Sequence, residues 1–362
     1  MDIIEKIIEV LSQVKESKTG QSVTQLKMIR DLKVEADNLH LNIYLPSADY
    51  EFKSELYSDV HDVLLKAFPD KKIHAHFINK SAFADAPNLL LPQIKNFVAI
   101  ASGKGGVGKS TVSVNLAIAL KNLGFKVGLL DCDLYGPSVP TMLGIQNERP
   151  KVQTIQSQNK LIPIDVHGMP SLSLGNIIEP EQAVVLRGPR LAAIIKQFFQ
   201  DAMWPELDYL IIDLPPGTGD VQLTLVQTIP LTGAVIVTTP QQVAVIDAIK
   251  ASNMFLMEQI AVPILGVVEN MSWFQPLDMP DKKYYIFGEG GGERLASLTN
   301  TTFFGQIPIV EKIRERADSG KVFEMQAGEF YAEIYKEIAQ KIDKKVTLRN
   351  MVMAPTKKVE QA

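Results

Sequence analysis

Residues 103–111 read Gly103-Lys104-Gly105-Gly106-Val107-Gly108-Lys109-Ser110-Thr111, and this run decides the fold. It fits the phosphate-binding loop pattern G-x-x-x-x-G-K-[ST]. Glycines let a backbone wind tightly around an anion with its N–H groups turned inward. Before the run, 96–102 (NFVAIAS) is a short apolar strand; after it, 111–123 (TVSVNLAIALKNL) has helical apolar periodicity and stops at Gly124. A helix opening on the loop adds the positive end of its dipole. All nine residues are therefore expected to bind ATP, with Lys109 directed at the β- and γ-phosphates and the Ser110 hydroxyl at Mg²⁺.

Working outward, 127–130, 209–212, 234–238 and 264–268 are short, apolar and β-branched, with helical stretches such as 190–199 and 243–258 between them. Strands of this kind suit a sheet covered on both faces. The alternation predicts an α/β fold, a doubly wound, mostly parallel P-loop NTPase domain over 96–345. Ligands of such sheets lie beyond the carboxyl ends of the strands. Two strands end in carboxylates. The first runs into Asp131-Cys132-Asp133, an i, i+2 pair able to face Mg²⁺ and the attacking water. The second runs into Asp213-Leu214-Pro215-Pro216-Gly217-Thr218-Gly219-Asp220, a Walker B arrangement in which Asp213 holds Mg²⁺ through water. Gly217 is placed for its N–H to meet the γ-phosphate, which makes 213–220 a candidate switch. Asn270, after the strand 264–268, offers an amide to an adenine edge, and Pro308 offers a ring to pack on the base. A strand-end asparagine is as often a turn residue.

Residues 1–80 predict a separate small α+β unit: a helix over 2–14, two strands at 29–35 and 38–45 turning at Ala36-Asp37, a helix over 50–68 and a strand at 72–77. Residues 81–95 carry two prolines and no clean period, as a linker does. A flexible tail is expected over 346–362. The 362 residues are 46% apolar, enough for a sizeable core. A net charge of −4, with lysines and arginines dispersed, gives no pull toward nucleic acid. No apolar run approaches a membrane span, and the start (MDIIEKIIEV) reads as an acidic amphipathic helix, not a signal peptide. With Cys132 as the one cysteine there is no internal disulfide, and a cytoplasmic protein is expected.

The extra lysine after the first glycine, Lys104, resembles the deviant Walker A ATPases, the group of MinD, ParA, the nitrogenase iron protein and the Mrp/ApbC proteins. That resemblance implies a homodimer sandwiching ATP, with Lys104 crossing to the partner's nucleotide. It also implies that Asp133 orients or deprotonates the attacking water and that Asp131 lies near the Mg²⁺ shell, giving Lys104, Lys109 and Asp133 the catalytic roles. Within the group, LLDCDLYGPSVP (129–140), LRGPR (186–190), IDLPPGTGD (212–220), TTPQ (238–241), VVENMSWF (267–274), YYIFGEGGGERLA (284–296) and GQIPI (305–309) resemble the Mrp/ApbC branch, which passes iron–sulfur clusters to apoproteins. The N-terminal unit, through Thr19-Gly20, Leu26 and Ile29-Arg30-Asp31, resembles the small domain of iron–sulfur assembly factors. One departure matters. Cluster-carrying members have a C-x-x-C pair between the ENMS and FG-x-GG segments, and 273–285 here holds no cysteine. A shared [4Fe–4S] cluster needs two thiolates per subunit. No cluster ligands are identified, and thiolate-bound cluster carriage is not expected. The alternative is a nucleotide-switched scaffold or adaptor that binds no cluster. The five histidines, including His74 and His76 on one strand face, supply no evident replacement.

Overall fold

A computed structural model of the chain describes residues 3–35, 37–47, 50–79, 91–133, 136, 138–155, 158–177, 199, 201–219, 222–223, 225–226, 229–276, 279, 282–326 and 328–353. They form two compact units, one from Met1–Leu89 with Lys344–Pro355, the other from Leu90–Asp343.

In the first unit, helices α1 (Ile3–Leu11) and α2 (Lys53–Ala67) accompany strands β1 (Ile29–Val34), β2 (Asn38–Leu45) and β3 (Lys72–Asn79). β2 is central, antiparallel to β1 and parallel to β3. Its alternation is complete: Leu39, Leu41, Ile43 and Leu45 point inward, and the residues between them do not. They meet Ile7 and Leu11 of α1 and Leu56, Val60 and Leu64 of α2. Val352, from the end of the long helix Phe330–Val352, is buried in this same core. The flexible tail expected over 346–362 is corrected for its first part: Val346 and Val352 are 1% exposed and helical, with apolar residues recurring on one side of the last turns, while 354–362 lie outside the described residues.

The second unit is built on an eight-stranded sheet. In chain order it has β4 (Ile94–Ala101), α3 (Lys109–Asn122), β5 (Val127–Asp131), α4 (Val139–Leu143), the hairpin β6 (Lys151–Ile155) and β7 (Gln158–Ile162), β8 (Ile164–Val166), β9 (Met169–Ser173), β10 (Leu207–Asp213), β11 (Gly233–Thr238), α5 (Gln242–Leu256), β12 (Ile264–Phe274), α6 (Gly291–Leu298), β13 (Thr302–Ile309), α7 (Glu311–Asp318) and, as far as Asp343, the helix α8 (Phe330–Val352). The sheet order is β13-β12-β11-β4-β10-β5-β9-β8, parallel except for the β8–β9 pair. β5 and β11 are buried along their whole length, as strands covered on both faces must be. β13 is an edge strand, which is where Pro308, lacking an N–H, is tolerated. The helix expected at 190–199 lies outside the described residues except for Phe199, as do most of the expected linker, Tyr135, Pro137 and Asp220.

Candidate nucleotide site

Three strands build the site. β10 lies between β4 and β5, and parallel register sets Asp213 beside Asp131 on one side and beside Ile100 on the other. The chain leaving β4 becomes the loop 103–108, and α3 begins at Lys109. Gly106 and Gly108 take φ of +82° and +76°, the left-handed region that glycine enters freely. Gly108 caps α3 without any side-chain cap, so the first-turn N–H groups remain available to an anion. The resulting cleft, about 240 Å³, is lined by Lys104, Gly105, Gly106, Gly108, Lys109, Ser110 and Thr111 of the loop, and by Ser102, Asp133, Gly136, Ser138, Met142 and Pro216.

The charges converge at its floor. Lys109 Nζ lies 2.8 Å from Asp213 Oδ2 and 3.7 Å from Asp133 Oδ2. The Ser110 hydroxyl donates to Asp213 Oδ2 at 2.6 Å. Asp131 and Asp213 are fully buried. Asp131 accepts from the Asp133 N–H at 3.0 Å and from Ser173 Oγ at 2.8 Å. Burial, and then the Asp213 carboxylate beside it, push Asp131 well above the usual carboxylate range. Two carboxylates, Asp213 and Asp133, against one ammonium leave an excess of negative charge, with hydroxyl and carboxylate oxygens as donors. Mg²⁺ fits such a set, because it prefers oxygen and keeps waters and phosphate oxygens in its shell.

Other expected site residues fall in differing places. Lys104 is half-buried at the cleft, and among the described residues its ammonium has no carboxylate partner. Gly217, at φ +92°, donates its N–H to the Ser102 carbonyl at 2.9 Å, so the group expected to meet a γ-phosphate is engaged with the start of the loop. Asn270 lies within β12, which runs on to Phe274, rather than after a strand ending at 268. Its amide nitrogen donates to the Val107 carbonyl at 2.9 Å. Pro308 is buried on β13, next to Ile307, the register partner of Asn270. Cys132 is buried, and burial, with the neighbouring Asp131 charge next, pushes its thiol up, which keeps it protonated. Sequence reasoning passed over Ser113, whose Oγ is 2.5 Å from Asp213 Oδ1 and 3.0 Å from the Lys109 carbonyl, and Ser173. A serine between two valines, four residues after Lys109 and so on the same side of α3, was the available signal.

In the segment that lacks the cysteine pair, Trp273 is buried under Lys283, whose Nζ is 4.2 Å from the ring centroid. Phe274 bridges to Tyr284, and Tyr284, Tyr285 and Ile286 are exposed. In the N-terminal unit, the His40 and His74 rings stack at 4.6 Å, and His74 Nε2 meets Asn38 Oδ1 at 3.1 Å.

Residues 93–343 match the family model of the NUBPL iron-transfer P-loop NTPase, and residues 4–75 match that of an iron–sulfur cluster assembly protein. The chain is 40% identical over 352 residues to the iron–sulfur cluster carrier protein of Synechocystis sp., covering 96% of this chain and 98% of that one. It is 41% identical over 327 residues to the Escherichia coli carrier, covering 89% and 86%. Among solved structures, a nucleotide-binding protein of Archaeoglobus fulgidus in complex with ADP superposes with a TM-score of 0.56 at 37% identity, covering 67% of this chain and 93% of its own. The cell-division ATPase MinD of Pyrococcus furiosus superposes at 0.52 and 22% identity, over 69% and 98%, a likeness of fold alone. The chain belongs to the Mrp/ApbC-type iron–sulfur cluster carrier family, ParA/MinD-like P-loop NTPases preceded by an iron–sulfur assembly domain.

Proposed function

We propose that this protein is a Mg²⁺-dependent ATPase that works as a homodimer in iron–sulfur cluster assembly or transfer to apoproteins in the cytoplasm. The observation that carries the reading is the convergence of Lys109 with Asp213 and Asp133 at the mouth of a glycine loop that opens a helix. The loop N–H groups and Lys109 bind the phosphates, Lys109 exchanging its carboxylate contacts for phosphate oxygens. Ser110 and Asp213, with Asp131 behind them, would hold Mg²⁺, which would supply charge neutralisation to the phosphates. Asp133 positions the attacking water, and Lys104 of a second copy neutralises developing charge, as an arginine finger does. Catalysis is then mainly positioning and electrostatics. Support comes also from a relative named as a carrier at 40% identity over nearly the full length.

The test is phosphate release from Mg-ATP by the purified protein. Activity is expected, and Lys109→Ala is expected to abolish it, since the loop loses its one mobile phosphate-directed charge. Equal turnover in the two proteins overturns the assignment.

A second reading has one observation in its favour: the interval 273–285 is free of cysteine, and exposed aromatic residues stand there instead. In that reading the protein is a nucleotide-switched scaffold that directs clusters held by others. Anaerobic reconstitution with iron and sulfide separates the two. Stoichiometric cluster per dimer supports carriage, and iron-free protein with intact ATPase supports the scaffold.

A further inference from the structure

Helix α3 reaches the Asp213 carboxylate through two hydroxyls. Ser110 and Ser113 stand three residues apart, so they share one side of the helix. Ser110 donates to Oδ2 at 2.6 Å, and Ser113 donates to Oδ1 at 2.5 Å. Oδ2 also holds the Lys109 ammonium at 2.8 Å. Ser113 and Asp213 are both fully buried. A serine inside a helix commonly turns its hydroxyl to the carbonyl four residues back, here that of Lys109 at 3.0 Å. It has one hydrogen to give, and the shorter contact to a carboxylate is the stronger of the two. The Asp213 backbone is fixed independently: β10 is paired on both sides, and the Cys132 N–H donates to the Asp213 carbonyl at 2.9 Å. What the serines decide is the orientation of the side chain.

The two carboxylate oxygens differ in what they keep when the site is loaded. Under the proposed function Lys109 leaves Oδ2 for phosphate oxygens, and the Ser110 oxygen would turn to Mg²⁺. Both of the partners that change are on Oδ2. Ser113 is on Oδ1, is buried, and does not line the cleft, so it stays where it is. Resting on the reading of this cleft as a Mg-nucleotide site, we infer that Ser113 is a positioning residue, the side-chain partner that Asp213 retains through loading. It holds the carboxylate in one orientation while Lys109 and Ser110 depart, and so keeps Oδ2 turned to the cleft. The last torsion of an aspartate has a broad, two-fold profile, so without this bond the carboxylate is free to swing. Oδ1 would also lose the donor that satisfies it in the interior.

The experiment titrates the full chain with ATP by calorimetry, once with Mg²⁺ and once with EDTA. The quantity read is the ratio of the two dissociation constants, the Mg²⁺ enhancement. Ser113→Ala is expected to leave the affinity in EDTA within about twofold and to cut the enhancement by about tenfold, the scale of one hydrogen bond to a charged group. Ser113→Thr keeps the hydroxyl and is expected to restore the enhancement. A purely structural role would lower the thermal midpoint of Ser113→Ala and leave its enhancement as in the wild type, and that result overturns the inference. So does an enhancement lost equally in folded Ser113→Ala and Ser113→Thr, which would trace the effect to packing and not to the hydroxyl. The wild type separates this failure from that of the site itself. If it binds no ATP in either condition the nucleotide reading fails, and if it binds ATP without any Mg²⁺ enhancement the Mg²⁺ reading of Asp213 fails; the role of Ser113 falls with either.

Discussion

Asp133 is the residue whose surroundings say most about its chemistry. It stands at the cleft with Lys109 at 3.7 Å, whereas Asp131, two residues back, is fully buried beside Asp213. Asp133 lines the cleft and Asp131 does not. Asp133→Asn keeps the shape and loses the charge and basicity, so single-turnover ATP hydrolysis is expected to fall by about 10²-fold or more while ATP binding persists. An unchanged rate would move the water-positioning role to another group. Cys132, between the two, faces the core, where it is a small apolar side chain more than a ligand. Cys132→Ser is expected to leave iron and sulfide uptake after anaerobic reconstitution as in the wild type. Near-stoichiometric cluster that vanishes in the variant would show that this thiol has replaced the missing pair.

At the scale of elements, the loop 16–20 ahead of β1 is organised by Glu16. Burial alone would raise its pKa, but its carboxylate accepts from the Tyr50 hydroxyl, the Thr19 hydroxyl at 2.7 Å, and the Lys18 and Thr19 N–H groups at 3.0 and 2.7 Å. Together these hold it at about 2, below its ordinary 4.5. A folded-state pKa depressed in this way gives stability that is present above about pH 4.5 and is lost as pH falls toward 2. Glu16→Gln is expected to cost about 1–3 kcal/mol at pH 7, the cost of leaving buried donors poorly matched. It should also flatten the acid limb of the melting curve. Thermal unfolding from pH 2 to pH 7 checks both, and an unchanged acid limb refutes the assignment. Elements with strong local signals were legible in the sequence. β11 and the inner stretches of β4, β5 and β10 are apolar, β2 alternates without a break, and the glycine loop names α3. β13 was not legible, because its Gly305 and Pro308 read as loop and only its edge position tolerates them. Nor was the extent of β12, where Met271 takes φ +56°. Within the site, motif residues could be named from spacing. Ser173 could not, since its bond to Asp131 depends on β9 lying next to β5, a long-range pairing.

At the scale of the whole molecule, the proposed function requires assembly of two copies. Lys104 lies half-buried at the cleft, and the proposed dimer would use its charge in trans. Lys104→Ala is expected to retain ATP binding by the monomer while losing ATP-dependent dimerisation and most hydrolysis, as removal of a trans-acting cation does. Sedimentation with and without ATP decides, and a variant that dimerises and turns over normally makes Lys104 an ordinary loop lysine. No helix among the described residues is long and apolar enough to cross a membrane. The division of the chain carries a consequence for its biosynthesis. The N-terminal unit draws Val352 and the partly buried Leu348, Met351 and Met353 into its core, although the rest of that core precedes residue 90. On the ribosome, the first unit to emerge must wait, with part of its apolar surface uncovered, until the whole NTPase unit has been translated. The order of synthesis and the order of completion are therefore reversed, and a nascent chain stalled before residue 344 exposes a surface that a chaperone would hold.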